Sequence, residues 1–366
     1  MKTILHCIDT TGPGGAETVF IDLVTRLPAD KYRAVVVIRG QGWVYEELCR
    51  RGVTPIILDA RGSFNRAYLF ALCKLIRREQ VDLVQSHLLG SNVYCALAGL
   101  LTRTPVVTTF HGSVDIGERE RFKGLKFGSI NAGARCVVAV SKNLRDDILT
   151  RTPLKSGKTR IIYNGIDTSV FNQPRSDRLR QQFGWAKDEI IIGSLGNVRP
   201  AKGYDILLEA AALLDKSPLS CRFVIAGQGK GKLYDRMLQL REELGLQNRV
   251  HFLGFVDNPA EFLSSLDMFL LTSTSEGFSI ATIQAMSANL PVIVTRSGGP
   301  EEIVTHGNNG LLVDVGDTKA IADAVDSLGA NLELRTTLAA KARKHVIETF
   351  DLSVMLAKYE SIYDSL

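Results

Sequence analysis

The chain has 366 residues, 45% hydrophobic and 23% charged, the composition of a globular protein long enough for two domains of ordinary size. No run reaches the ~18 to 20 apolar residues of a membrane-spanning helix, and the start lacks the basic, apolar and small-residue segments of a secretory signal, so a cytoplasmic location is expected. The formal charge of +5 conceals a division, because residues 1–167 carry 24 basic against 15 acidic side chains and the remainder 20 against 24; the first half is expected to meet something anionic.

In chain order, the short apolar runs Ile4 to Ile8, Ala34 to Ile38, Pro55 to Leu58, Leu83 to Gln85, Val106 to Thr109 and Val137 to Val140 read as strands, with helix patterns in the gaps. Such alternation predicts a parallel sheet covered on both faces, since parallel strands need crossovers. Tyr163-Asn164-Gly165-Ile166-Asp167 and the polar stretch Asn172 to Arg180 then read as a linker and a helix start. The alternation restarts with Ile190 to Gly196, Phe223 to Ala226, Val250 to Leu253, Met268 to Leu271, Val292 to Thr295 and Leu311 to Val313. After a long helix pattern, Leu332 to Thr349, a last one follows in which Leu352, Leu356, Tyr359 and Tyr363 share one apolar face. The expected fold is α/β, with two Rossmann-like doubly wound domains, 1–167 and 168–349, facing each other across a cleft. Residues 350–366 are expected to form a helix that returns to the first domain. The six cysteines form no C-x-x-C pair and are read as buried small hydrophobes.

Ligands of doubly wound domains bind beyond the carboxyl ends of the strands, and two segments stand there. Ser275-Glu276-Gly277-Phe278-Ser279-Ile280 leads from the strand Met268 to Leu271 into a helix. Glu276 precedes a glycine that permits close backbone approach, and the amides of Gly277, Phe278 and Ser279 lie near a helix N-terminus, a ready site for anions and hydroxyls. Gln284, about two turns further on, can share a face with this loop. Gly196-Asn197-Val198-Arg199-Pro200-Ala201-Lys202-Gly203 follows the strand that opens the second half. A planar guanidinium and an ammonium before a helix, where the dipole disfavours cations, suit an anionic ligand such as a diphosphate.

Other chemistries are less well supported. Gly12-Pro13-Gly14-Gly15-Ala16-Glu17 does not complete a dinucleotide fingerprint. The basic excess is dispersed without interleaved aromatics, against nucleic acid. The histidines have no ligand-like spacing and no D-x-D occurs, so no metal and no cofactor are expected.

These segments, with Gly14-Gly15-Ala16-Glu17, Thr109-Phe110-His111-Gly112, Val140-Ser141-Lys142, Asn164-Gly165-Ile166-Asp167, Ala226-Gly227-Gln228-Gly229 and Gly298-Gly299-Pro300-Glu301-Glu302 in the same order, resemble the GT4 family of retaining glycosyltransferases. The resemblance spans nearly the whole chain and implies the GT-B fold. It implies that Glu276 contacts the donor sugar, as first acid of the family's E-x7-E motif, while Gln284 stands at the second, ribose-binding position. Gln keeps an acceptor oxygen there but loses the charge that strengthens such bonds. It further implies that Arg199 and Lys202 hold the diphosphate, that Gly14, Gly15, Gly196 and Gly227 let backbone approach the donor beside Gly277, Phe278, Ser279 and Ile280, and that His111 lies beside the reacting sugar.

The implied activity is transfer from a UDP- or GDP-sugar to a glycan or polyprenyl-linked acceptor, with retention and without metal, in surface polysaccharide or glycoconjugate synthesis. Arg119, Arg121, Lys123 and Lys126 around Phe122 and Leu125 are read as the acceptor or membrane face, which would make the protein peripheral on the inner leaflet. Two alternatives are an inactive nucleotide-sugar-binding subunit and a nucleotide-sugar epimerase on the same scaffold.

Overall fold

The computed structural model describes residues 1–59, 64–117 and 120–366. They divide into two compact units, the first made of Met1–Gly165 with Ser353–Leu366 and the second of Ile166–Leu352. Among the described residues no helix is long and apolar enough to cross a membrane.

In the first unit β1 (Lys2–Ile8), β2 (Tyr32–Ile38), β3 (Ile56–Ile57), β4 (Leu83–His87), β5 (Val106–Phe110), β6 (Cys136–Ala139) and β7 (Thr159–Ile161) form a parallel sheet in the order β3-β2-β1-β4-β5-β6-β7. Alternation along β1 feeds two helical layers: Leu5 and Cys7 join Leu72, Ala98 and Val84, whereas Ile8 joins Phe20, Ile21, Val44 and Leu48. The final helix, Leu352–Ser365, is tied to this sheet. Lys2 Nζ donates to the Tyr363 carbonyl at 2.7 Å, Tyr32 donates to Asp364 at 2.7 Å, and the rings of Tyr359 and Tyr363 are buried.

The second unit is a parallel sheet of β8 (Ile190–Leu195), β9 (Cys221–Ala226), β10 (Val250–Gly254), β11 (Met268–Leu271), β12 (Val292–Thr295) and β13 (Leu311–Val313), ordered β10-β9-β8-β11-β12-β13. Ile192, Leu208, Phe223, Leu270, Ile293 and Val325 are among the residues that fill its core. In each unit the sheet winds outward in opposite directions from a pair of neighbours, β1 with β4 and β8 with β11. Loops leaving such a pair diverge and open a crevice at the carboxyl edge.

Three sequence readings change. Strand β7 was not legible because only three residues pair at an edge, with Thr159 buried and Arg160 exposed. The stretch read as a linker is anchored: Arg180 Nη2 and the Ile191 amide both donate to Asp267 at 2.8 Å, which pins the helix Arg178–Phe183 to the second sheet. Five cysteines are buried as expected, but Cys49 is exposed. In its helix, Trp43–Arg50, the inward residues are Val44, Glu47 and Leu48, and helical spacing turns the next position outward.

Candidate functional site

The loops that leave β8, β9 and β11 are locked together, largely through backbone. Gly227 and Gly196 both hold a φ of +156°. A Cβ on Gly227 would overlap the Gly196 carbonyl and come within 2.8 Å of the Asn197 nitrogen, so the close approach requires glycine. The Thr274 amide donates to the Ala201 carbonyl at 2.8 Å, and Thr272 Oγ1 donates to the Lys202 carbonyl at 3.2 Å.

That scaffold brings two predicted residues into contact. Lys202 Nζ donates to Glu276 Oε1 at 2.6 Å, and Ser273 Oγ donates to the same oxygen at 2.7 Å. Glu276 is held by its main chain as well, its amide donating to Ser297 and its carbonyl accepting from Gly299, each at 2.9 Å. The carboxylate therefore projects from a short parallel bridge with Gly298 rather than from a free loop. Arg199 precedes the turn Pro200–Lys202, is exposed, and makes no ion pair among the described residues. With Lys202 matched to Glu276, the guanidinium remains as the uncompensated positive charge of this loop pair.

Beyond Glu276 the chain turns sharply into the helix Ile280–Ser287. Gly277 and Phe278 pack on Gly299, where a Cβ would lie 2.7 Å from Phe278 Cα. The buried Phe278 ring meets Phe350 edge to face at 5.4 Å. Ser279 caps the helix, its Oγ accepting from the Thr282 amide at 3.3 Å. Ile280 and the half-buried Gln284 stand four residues apart, on one helix face. Ser273 and Ser297 escaped the sequence reading, which named Gly298 and Gly299 only as part of the resemblance; a serine three residues before the glutamate, just past a strand end, was the available signal.

In the first unit, Gly14 precedes the helix Gly15–Arg26, and its carbonyl accepts from the amide and hydroxyl of Thr18, both at 3.0 Å. Gly14 itself offers no side-chain cap, and the Glu17 carboxylate turns back against Gly14 at this N-terminus. His111 follows β5. Its amide donates to Asp115 Oδ2 at 3.0 Å, and its Nε2 lies 2.8 Å from Nδ1 of His87, at the end of β4. The two rings stack at 5.1 Å.

Burial lowers the His111 pKa to about 3 and, helped by the charges of His111 and His6, takes His87 well below its ordinary value. Both are neutral at pH 7. Burial raises Asp115 to about 6 despite its amide hydrogen bonds. His87 was absent from the predicted site, because only strand pairing places it beside His111.

His6 offers a pH test of the first unit's core. Burial lowers its pKa from 6.5 to about 3, and neither ring nitrogen has a partner among the described residues. Below pH 6.5 the unfolded chain takes up a proton here that the folded chain refuses. The contribution is therefore full above 6.5 and lost as the pH falls. His6→Leu should gain about 2 kcal/mol on the parent protein between pH 7 and pH 5, read by urea unfolding at both pH values; an equal gap at both would show that His6 takes its proton in the folded state.

The basic loop is less open than its sequence suggests. Arg119 lies outside the described residues. Lys126 pairs with Glu120, Lys123 donates to the Ile116 carbonyl at 3.0 Å, and Arg121 sits 5.9 Å over the Phe122 ring. Phe122 and Leu125 are 65% and 73% exposed, so the apolar members of this face are its most accessible part. Among the described residues no group of three or more His, Cys, Asp or Glu side chains could hold a metal ion.

Comparison with known proteins follows the division into two units. The family described as Glycosyltransferase Family 4 matches residues 13–170, and Glycosyl transferases group 1 matches residues 175–345. The chain is 30% identical over 307 residues to the N-acetyl-alpha-D-glucosaminyl L-malate synthase of Bacillus anthracis, covering 82% of this chain and 79% of that one. It is 24% identical over 327 residues to the capsular polysaccharide biosynthesis glycosyltransferase CapM of Staphylococcus aureus, covering 86% and 84%. Among solved structures, Anabaena HepE in complex with UDP and glucose superposes with a TM-score of 0.90 at 25% identity over the whole of both chains.

Proposed function

Because the chain belongs to the glycosyl transferases group 1, with the two parallel Rossmann-like sheets of the GT-B fold, it is a glycosyltransferase, and we propose that it transfers a sugar from a nucleotide diphosphate to a glycan or lipid-linked acceptor with retention of configuration. The observation that carries the donor assignment is the Lys202–Glu276 pair, with Arg199 on the same loop as Lys202, at the switch point of the second sheet. HepE bound to UDP and glucose favours UDP as the nucleotide. Relatives that build capsule and O-antigen favour a surface glycan as product.

In this reading the donor exchanges the internal ion pair for two external ones. Lys202 turns with Arg199 to the diphosphate, and Glu276, still held by Ser273, accepts hydrogen bonds from sugar hydroxyls. Gln284 accepts more weakly from the ribose. Gly14, Gly15, Gly196 and Gly227 let backbone approach the donor, and His111 is assigned to the reacting sugar.

The bond from the anomeric carbon to the diphosphate breaks while the acceptor oxygen bonds to the same face. The acceptor proton passes to a donor phosphate oxygen, and Arg199 and Lys202 stabilise the charge that grows on the leaving group. Two cations and helix N-termini supply that stabilisation without a metal.

A panel of UDP- and GDP-sugars, scored for nucleotide release with and without polyprenyl-linked acceptors and in the presence of EDTA, tests this reading. One donor is expected to be consumed only when acceptor is present, with EDTA lacking effect. Binding without release would indicate a binding subunit, and isomerisation without acceptor an epimerase. Anionic liposomes form a second arm: salt-sensitive partition that is lost in Phe122→Ser/Leu125→Ser places the lipid-facing surface on the loop, and unchanged partition removes it.

A further inference from the structure

A line of buried polar groups in the first unit runs from His111 to the final helix. His111 Nε2 meets His87 Nδ1 at 2.8 Å, and His87 Nε2 meets Gln85 Nε2 at 3.1 Å. Gln85 Nε2 also lies 2.9 Å from Thr109 Oγ1 and 3.3 Å from the Ser86 carbonyl, while Gln85 Oε1 accepts from Tyr363 at 3.0 Å. Tyr359 meets Thr109 at 3.2 Å. Gln85, His87 and Thr109 are fully buried.

Donor and acceptor chemistry fixes the histidine protons of this line, while either hydroxyl of the Thr109–Tyr359 pair can donate. A backbone carbonyl only accepts, so the Gln85 group beside Ser86 is the amide nitrogen; the flipped amide would set two oxygens against each other. The amide nitrogen shares two N–H groups among three neighbours and accepts from none of them, so a proton on His87 Nε2 would face it donor against donor; His87 therefore keeps Nε2 bare and its proton on Nδ1. That proton points at His111 Nε2, which must accept it. The remaining proton of neutral His111 therefore sits on Nδ1. Nδ1 is buried and has no partner among the described residues, and an unpaired buried donor is costly unless a ligand takes it up.

We propose that Gln85 and His87 are positioning residues that hold His111 in its Nδ1–H tautomer, making it a hydrogen-bond donor to an oxygen of the donor sugar rather than a base. The inference rests on the assignment of His111 to the reacting sugar. Tyr363 and Tyr359 complete the line, so the last helix takes part in setting the state of a residue more than 240 positions earlier in the chain, the separation of Tyr359 and Thr109 being 250.

The test is long-range proton–nitrogen correlation NMR on the intact chain labelled with nitrogen-15 histidine, together with transfer kinetics. The parent protein should show His111 protonated on Nδ1. Gln85→Glu, equal in shape, presents a carboxylate to His87 Nε2 and should reverse the line. His87 then carries its proton on Nε2, His111 donates from Nε2, and kcat falls roughly tenfold to a hundredfold with donor KM little changed. A parent His111 protonated on Nε2 overturns the proposal without any variant. If Gln85→Glu reverses the tautomer and kcat stays, His111→Ala separates the causes: lost activity in that variant means the tautomer is irrelevant and the proposal fails alone, whereas retained activity means the assignment of His111 has failed beneath it.

Discussion

Lys202→Ala should lower kcat/KM for sugar transfer by about 10²- to 10³-fold, the usual effect of removing one preorganised group that stabilises charge developing in the transition state. Lys202 donates to Glu276 at 2.6 Å, so the variant loses the proposed contact to the diphosphate and also frees the carboxylate. Ser273 Oγ still holds that carboxylate at 2.7 Å, and main-chain bonds to Ser297 and Gly299 still hold the residue. The loss should therefore be catalytic rather than structural, with a melting temperature near that of the parent. Glu276→Ala should resemble it in rate while keeping nucleotide affinity, because its proposed partner is the sugar. A kcat/KM within threefold of the parent for Lys202→Ala would remove Lys202 from the stabilisation of the leaving diphosphate.

Gly227→Ala should cost about 3 kcal/mol, the scale of a residue forced into strained backbone with a steric overlap. The φ of +156° disfavours any side chain, and the new Cβ would overlap the Gly196 carbonyl. Neither obstacle is the end of a flexible chain that could swing away. With about 2 to 4 °C lost per kcal/mol in a unit of this size, calorimetry should show the transition of the second unit falling by about 6 to 12 °C. The strain also reaches the loop that carries Arg199, so donor KM should rise even below the new transition. A melting temperature within 2 °C of the parent would show that the two turns separate freely.

Much of this architecture is legible in the sequence because buried parallel strands are short, apolar and evenly spaced. The loops proposed to hold the donor are legible for a related reason: Gly196, Gly227 and Gly277 mark sharp turns beside strand ends, and Arg199, Lys202 and Glu276 are the charged residues that these turns carry. What sequence withholds depends on pairing across the sheet. His87 is unremarkable until β4 pairs with β5 and sets it opposite Thr109, two residues before His111. Ser273 gains its role only when Lys202 arrives from another strand end. Arg180 reads as linker until Asp267, 87 positions later, receives its guanidinium. The basic loop misleads for the opposite reason, since charge counting along the chain overlooks Glu120 and the Ile116 carbonyl, which occupy two of its cations.

The first unit is discontinuous: residues 353–366 complete it after the whole of the second has intervened. During synthesis, which proceeds from the N-terminus at about 5 to 20 residues per second, the sheet of residues 1–165 emerges with Gln85 lacking Tyr363 and Thr109 lacking Tyr359. At that pace the second unit's 187 residues take roughly ten to forty seconds to appear. For that interval the nascent sheet carries an open seam of buried-type polar groups, and His111 lacks the anchor at the far end of its line. On the proposed role of His111, a ribosome-bound intermediate stalled before Tyr359 would carry the sheet of residues 1–165 without the two tyrosines that complete this line.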